Sequence, residues 1–250
     1  MLTDEVRSRC REIAEGSRMV RIDMGLLTEV TPSPQQPTLD PECHYLEGDA
    51  ADVADYLLAL DAINFGSGWF PTLRKRSRGG RPLSGYFTVA WSFADHVRVA
   101  GPPVADWLRQ VGTREIALIL GQRADHELMN LYAQALRTLG AFLHGRRALD
   151  LVSECRGSAE RLAGSLAQGM AMFCDRGFYK RAQIVPNDLA LAGVARFSDL
   201  DRLTIFADNL VPHVLRCEGI LVYEPTLAEH IDAGRPLPAG AAEREIRACA

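Results

Sequence analysis

Apolar residues spaced three and four apart dominate this chain and decide its class. Leu128, Leu131, Leu136, Leu139 and Leu143 fall on one face of a long central helix. Val6, Cys10, Ile13 and Ala14 do the same, starting from Thr3, a side chain suited to an N-cap, and ending at Gly16. After a proline-rich turn from Thr31 to Pro37, the spacing of Val53, Leu57, Leu60, Asp61 and Asn64 predicts a second helix. Others are expected from Ser158 to Met170, from Tyr179 to Ala192 where Pro186 must break or restart the helix, and from Pro225 to Ile231. Strand signals are poor, with no hairpin dipeptide between alternating segments and no βαβ rhythm. The expected fold is all-α. Residues 1–250 form one domain in this reading, because no linker-like boundary interrupts them.

A chain of 250 residues, 47% hydrophobic, can bury a core without disulfide or metal staples. Its 28 basic and 32 acidic residues leave a net charge of −4, the wrong sign for gripping duplex nucleic acid through many phosphates. A small anionic ligand stays open. No apolar run is long enough to span a bilayer and the first residues have no signal-peptide pattern, so the expected location is cytoplasmic, with no membrane partner. The six cysteines are scattered without C-x-x-C spacing and read as reduced core side chains. His126-Glu127 lacks a second histidine four residues on, and no metal is expected.

Four places carry candidate chemistry. In Phe197 to Gly219, Ser198 and Asp201 suggest a capping box, and Pro212 is least strained in the first turn of a new helix. The first helix would then stop near Phe206, Asp208 would cap the second and Gly219 would close it. Two readings of Asp208 stand: a cap without chemistry, and an anion held at a helix–turn–helix junction by backbone N–H groups and the helix dipole. Lys180 and Arg181 open another helix, where a cation gains nothing from the macrodipole, so they are either exposed surface charges or contacts to an anion. Arg74, Lys75, Arg76, Arg78 and Arg81, after the glycine-bearing loop with Trp69 and Phe70, form either a solvated loop or a phosphate clamp. Gly79-Gly80 lacks the strand and helix of a true phosphate loop. His44, just before the second helix, reads by spacing alone as a partly buried, satisfied histidine.

Taken together, Leu60-Asp-Ala-Ile-Asn-Phe65, Ser84-Gly-Tyr86, Phe178-Tyr-Lys-Arg-Ala-Gln183 and Leu203-Thr-Ile-Phe-Ala-Asp208 with Val211-Pro212 resemble the queuosine salvage family. That family's characterised members hydrolyse queuosine 5′-phosphate to queuine and ribose 5-phosphate. The resemblance implies a helical fold akin to the helix–hairpin–helix DNA glycosylases, and it makes Asp208 the expected catalytic residue. It also places Phe206 and His44 at the ligand and Lys180 in the site. Where the family has Tyr-Arg after Phe-Ala-Asp and Gln after the proline, this chain has Asn209, Leu210 and His213; Asn209 and His213 are carried as substrate contacts. Gly66-Ser67-Gly68 interrupts a loop that is more compactly aromatic in the family. Members usually continue past the Glu-Ile-Arg-x-Cys segment into a region that adds acidic and aromatic pocket residues, whereas this sequence ends at Ala250, so the expectation is a domain without that extension.

The chemistry implied is cleavage of an N-glycosidic bond. Positive charge develops on the ribose as the base leaves, and a fixed carboxylate at Asp208 stabilises it, either by attacking C1′ or by orienting water. Queuine, a 7-deazaguanine, offers no N7 to protonate, so His44 and then Lys180 are the candidates to stabilise the leaving base. Phe206, Trp69 and Tyr179 are candidates to stack on it. A 5′-phosphate suits Lys180, Arg181 or the Arg74–Arg81 loop. No metal or redox cofactor is expected. The alternative is a non-catalytic binding protein for a queuosine-like nucleoside; a DNA-base glycosylase conflicts with the acidic net charge.

Overall fold

The structure, a computed structural model, describes residues 1–30 and 38–250. Helices α1 (Leu2–Glu15), α2 (Met24–Glu29), α3 (Ala50–Ala62), α4 (Gly85–Ala100), α5 (Ala105–Gln110), α6 (Thr113–Ile119) and α7 (Glu127–Leu143) are followed by α8 (Ala148–Glu154), α9 (Ala159–Gly169), α10 (Ala171–Cys174), α11 (Lys180–Leu191), α12 (Leu210–Cys217), α13 (Pro225–Asp232) and α14 (Ala241–Cys249). Four short strands, β1 (Val20–Ile22), β2 (Ser77–Arg78), β3 (Arg81–Pro82) and β4 (Leu221–Tyr223), form two antiparallel ribbons, β1 with β4 and β2 with β3. The described residues are thus mostly helical, as the spacing predicts. No described helix is long and apolar enough to cross a membrane. The expected turn from Thr31 to Pro37 lies outside the described residues.

The chain divides into two compact units. One comprises Met1–Gln36 with Arg202–Ala250, the other Pro37–Asp201. The core of the central unit is α3. Its residues from Val53 to Ala62 are all buried, the pattern of a helix surrounded by protein on every side. Asp49 starts it, accepting hydrogen bonds from Ala51 N and Asp52 N at 2.9 Å each. Helices α4, α7, α8 and α11 pack around it. Asp55 anchors α8, accepting from Arg147 Nε at 2.7 Å and Ala148 N at 2.8 Å. Helix α7 meets α5 at Gly140, where a Cβ would stand 2.6 Å from the backbone nitrogen of Arg109. In the terminal unit, Val20, Leu221, Leu227, Ile246 and Cys249 form a small core, and Glu245 accepts from the backbone N–H groups of Arg18 and Met19 at 3.0 and 2.7 Å.

Several local expectations are corrected. Met1, not Thr3, is the N-cap of α1; Thr3 is buried within the helix. Asn64 lies past the end of α3. Pro186 neither breaks nor restarts α11, which runs through it. Burial of eight of that helix's residues outweighs the one hydrogen bond the proline forfeits. Gly79 and Gly80, with φ of +56° and +76°, make the two-residue turn of the β2–β3 hairpin, so a Gly-Gly dipeptide did mark a hairpin that the short flanking strands concealed. Ser198 and Asp201 form no capping box. Asp199, next to Ser198, instead supports the Ser158 N-cap of α9, accepting from Ser158 Oγ at 2.6 Å and Ala159 N at 2.7 Å. Only a three-residue 3-10 turn, Leu200–Arg202, precedes the irregular stretch to Ala207. The cysteines are only partly core: Cys43, Cys155 and Cys249 are buried, whereas Cys217 is exposed.

Candidate functional site

Of the residues singled out above, His44, Trp69 and Lys180 belong to the central unit, and Phe206, Asp208, Asn209 and His213 to the terminal unit.

In the central unit, the sequence around Lys180 folds into a strained approach. Asp175, Arg176 and Tyr179 all have positive φ, at +47°, +56° and +54°, a conformation unfavourable for side chains of this size. The strain is held by Arg181, which is buried, not an exposed surface charge: its guanidinium donates to Ala62 O at 3.0 Å and to Met172 O, and stacks 4.6 Å from the Phe65 ring. This clamp fastens the start of α11 to the end of α3. Lys180, half-buried, then donates from Nζ to Asn64 O and Asn64 Oδ1, both at 3.2 Å. Of the 28 basic residues only Lys75 and Lys180 are lysines.

Two carboxyls share this helix pair. Asp61, on the last turn of α3, has no exposure at all, and Asp188 on α11 is 7% exposed. Neither Asp61 oxygen meets a hydrogen-bond partner among the described residues. The Asn64 side chain lies near enough to favour the anion without donor geometry to either oxygen. Burial holds the Asp61 carboxyl well above the ordinary carboxylate range; Asp188 adds to the rise, while Lys180 and Asn64 oppose it. Burial likewise pushes Asp188 up to about 6, against the Asn187 amide and the Lys180 charge.

His44 is 2% exposed, and its ring is fully committed. Nδ1 stands 2.9 Å from the carbonyl of Asp40, which can only accept, so Nδ1 carries the proton. Nε2 of the neutral ring therefore accepts from the Tyr86 hydroxyl at 2.9 Å. Burial lowers the His44 pKa, which keeps the ring in this form, although the Asp40 contact opposes it. Tyr86, half-buried on the first turn of α4, is held well above the ordinary phenol range by burial and by the charges of Asp61 and Asp188. His44 thus orients Tyr86, and Tyr86 shares an electrostatic neighbourhood with the acid pair. Trp69 donates from Nε1 to Glu127 Oε2 at 3.2 Å at the start of α7.

The arginine-rich segment carries an exposed hairpin, with Arg74, Arg78 and Arg81 solvated. Arg76 pairs with Asp95 at 2.6 Å and stacks 4.1 Å from the Trp91 ring, while Arg78 pairs with Asp40 at 2.8 Å and Glu42 at 3.0 Å. Much of its charge is therefore matched by carboxylates. A cavity of about 800 Å³ beside it is lined by Arg74, Lys75 and Arg76 but also by Asp95, His96 and Glu115.

In the terminal unit, Asp208 is half-buried on a bend before α12. Asn209, not Asp208, is the N-cap residue of that helix, and its side chain makes no capping bond. Pro212 sits in the first turn, where its missing N–H costs least, and Gly219 follows the helix with φ of +75°, both as expected. The irregular backbone leading to Asp208 is fixed by Arg247 of α14, which donates from Nε to Ala207 O at 2.8 Å and pairs with Glu243 at 3.1 Å. Phe206 is half-buried, Asn209 exposed, and His213 exposed with Nε2 3.7 Å from Cys217 Sγ.

Sequence reasoning passed over Asp61, Asn64, Tyr86 and Asp188. The first three lie inside motifs it quoted, and a signal was present: a lone charged side chain, Asp61, in the otherwise uncharged stretch from Tyr56 to Ala62.

Residues 43–250 match the family model described as queuosine salvage protein. A protein of Sphaerobacter thermophilus named queuosine 5′-phosphate N-glycosylase/hydrolase is 32% identical over an alignment covering 97% of this chain and 81% of that protein. Proteins of the same name from Bos taurus and Mus musculus are 29% and 28% identical, covering 97% and 82% of this chain and 80% and 68% of their own lengths. The matched span includes His44, Asp61, Tyr86, Lys180, Asp188 and Asp208. The chain belongs to the queuosine salvage protein family.

Proposed function

We propose that this protein hydrolyses the N-glycosidic bond of queuosine 5′-phosphate, releasing queuine and ribose 5-phosphate for queuine salvage. The observation that carries the reading is the match to relatives of that activity along 97% of the chain, Asp208 and its motif included. Asp208 is the catalytic carboxylate. It stabilises the positive charge that spreads over C1′ and O4′ as the C1′–N bond breaks, and water supplies the hydroxyl to C1′ and the proton to the departing base. The bond from Arg247 to Ala207 O supports this role, because it limits the movement of the backbone just before the carboxylate.

Phe206 is assigned to the face of the base and Trp69 to stacking; Asn209 and His213 are substrate contacts in the places where the family has Tyr and Gln. His44 acts on the base through the phenol it orients, Tyr86, an assignment supported by the commitment of both imidazole nitrogens. Lys180 is assigned to the 5′-phosphate. Arg181 is the weaker candidate, since its guanidinium is occupied by two carbonyls. The kinship to helix–hairpin–helix DNA glycosylases belongs to the same reading, supported by the mostly helical architecture, as does one functional domain over residues 1–250, supported by a family match that runs through both units. Free thiols at all six cysteines fit a reducing, cytoplasmic setting. The substrate is a small nucleotide, and neither nucleic acid nor membrane is a partner in this reading.

The test incubates purified protein with queuosine 5′-phosphate, queuosine and guanosine 5′-monophosphate and looks for free base by mass spectrometry. Asp208→Asn is expected to keep the fold and ligand affinity but lose about two orders of magnitude or more in queuine release. Turnover retained in that variant removes Asp208 from the mechanism; tight binding with no product assigns the protein to nucleoside binding instead.

A further inference from the structure

Among the described residues, the buried side-chain atoms that no hydrogen-bond partner meets are the two oxygens of Asp61. An orphaned buried carboxyl is costly to fold around and calls for a reason. Scarcity of donors along α3 is not that reason, because Asp55 on the same helix is served by Arg147 and Ala148. We infer that Asp61 is a positioning residue of the proposed site: with Asp188 it forms an acid pair, sealed between α3 and α11, that sets how much negative charge faces Lys180 and so how strongly an anionic nucleotide is taken. The inference rests on the assignment of Lys180 to the substrate phosphate.

The argument is one of charge balance in a poorly solvated place. If both carboxyls are ionised they outweigh the single ammonium of Lys180 and repel a phosphate. If the pair keeps one proton, the local charge is balanced and the approach of a dianion is no longer opposed. Two carboxyls in one buried site do not readily ionise together, so their protons leave in two separated steps. The other charged and titratable groups packed around them do not take over this role. Tyr86 of α4 and Tyr56 of α3 are phenols whose ionisation the acid pair itself disfavours. Tyr132 of α7 donates to Phe65 O. Arg147 of α8 is engaged by Asp52 and Asp55, and Arg181 by two carbonyls. Glu160 stands in the first turn of α9. Asn64 completes the link: it sits beside Asp61 and accepts two bonds from the ammonium, so a change in the pair's charge is felt at Lys180 Nζ.

Labelling lysine alone with carbon-13 and nitrogen-15 gives two side-chain signals, one each from Lys75 and Lys180, and Lys180→Arg assigns them. The Lys180 signal is expected to show an inflection above about pH 6 as the pair, with Asp188 already ionised, loses the proton that Asp61 holds. Asp61→Asn is expected to move that inflection down to about pH 6, the value to which burial raises Asp188. Asp188→Asn makes the reciprocal measurement and serves if the first variant does not fold. In turnover, KM for queuosine 5′-phosphate should rise through the same range by up to about tenfold per pH unit while kcat moves little, and KM for unphosphorylated queuosine should stay level. Asp61→Asn should abolish the rise in KM, because a lone ionised Asp188 leaves the charge beside Lys180 balanced.

A Lys180 signal without an inflection, or one that neither variant moves, overturns the inference even if queuine is released. If no queuine is released but the inflection moves, hydrolysis falls, and the dissociation constant of queuosine 5′-phosphate replaces KM: a pH dependence that follows the inflection sustains the acid pair, and a flat one overturns it.

Discussion

Replacing Asp188 by Asn should make the central unit more resistant to unfolding at neutral pH than at acid pH, relative to the parent. Burial pushes this carboxyl from 3.8 up to about 6. A folded state that holds its proton more tightly than the unfolded chain is favoured below the unfolded value, and that advantage disappears as pH rises through the folded one. The gap, at about 1.4 kcal/mol per pH unit, amounts to about 3 kcal/mol lost between about pH 4 and pH 7. An asparagine loses no proton, so the variant escapes the loss. It also replaces the bond from Asn187 Nδ2 to Asp188 Oδ1, 3.0 Å long, but that offset does not vary with pH. Urea titrations at several pH values, followed by tryptophan fluorescence, isolate the effect, because Trp69, Trp91 and Trp107 all lie in the central unit. The stability difference, variant minus parent, should grow by about 2–3 kcal/mol from pH 4.5 to pH 7.5, or about 5–10 °C in Tm for a unit of this size. A difference that stays flat would show that burial does not hold a proton on Asp188, which is then already ionised in the folded protein at pH 4.5.

Two glycines in helix interiors should respond in opposite directions. Gly140→Ala puts a Cβ 2.6 Å from Arg109 N and should cost about 1–3 kcal/mol by forcing α5 and α7 apart, whereas Gly164→Ala on α9 meets nothing within 4 Å and should gain about 0.5–1 kcal/mol; thermal unfolding of both variants checks the pair. Asp55→Ala leaves the Ala148 amide without its acceptor and Arg147 with Asp52 alone, and should cost about 1–3 kcal/mol by urea unfolding.

What the sequence made legible follows from how far each interaction reaches. Helices α7 and α9 could be read because their apolar spacing is a local signal, and α13 because Pro225 stands at its first position. Pro186 misled for the same reason: a proline's local penalty is visible, but the burial that overrides it comes from other parts of the chain. The second acceptor at the start of α9, beyond its local Ser158 cap, was equally out of reach, since Asp199 arrives there from some forty residues downstream.

The site divides along the same line. Lys180 and His44 were found through the motifs that carry them, but a motif does not reveal which groups will be left facing each other. Helix α3 makes the distinction physically. It buries two aspartates; Asp55 is met by a guanidinium and a backbone amide, the arrangement of a structural anchor, whereas Asp61 is buried more deeply and met by no donor. Had stability alone shaped the helix, an apolar side chain in place of Asp61 would pack as well without the cost of desolvation. The retained carboxyl is therefore better explained by its neighbours, Asp188 and the Asn64-bound Lys180, than by the helix that bears it.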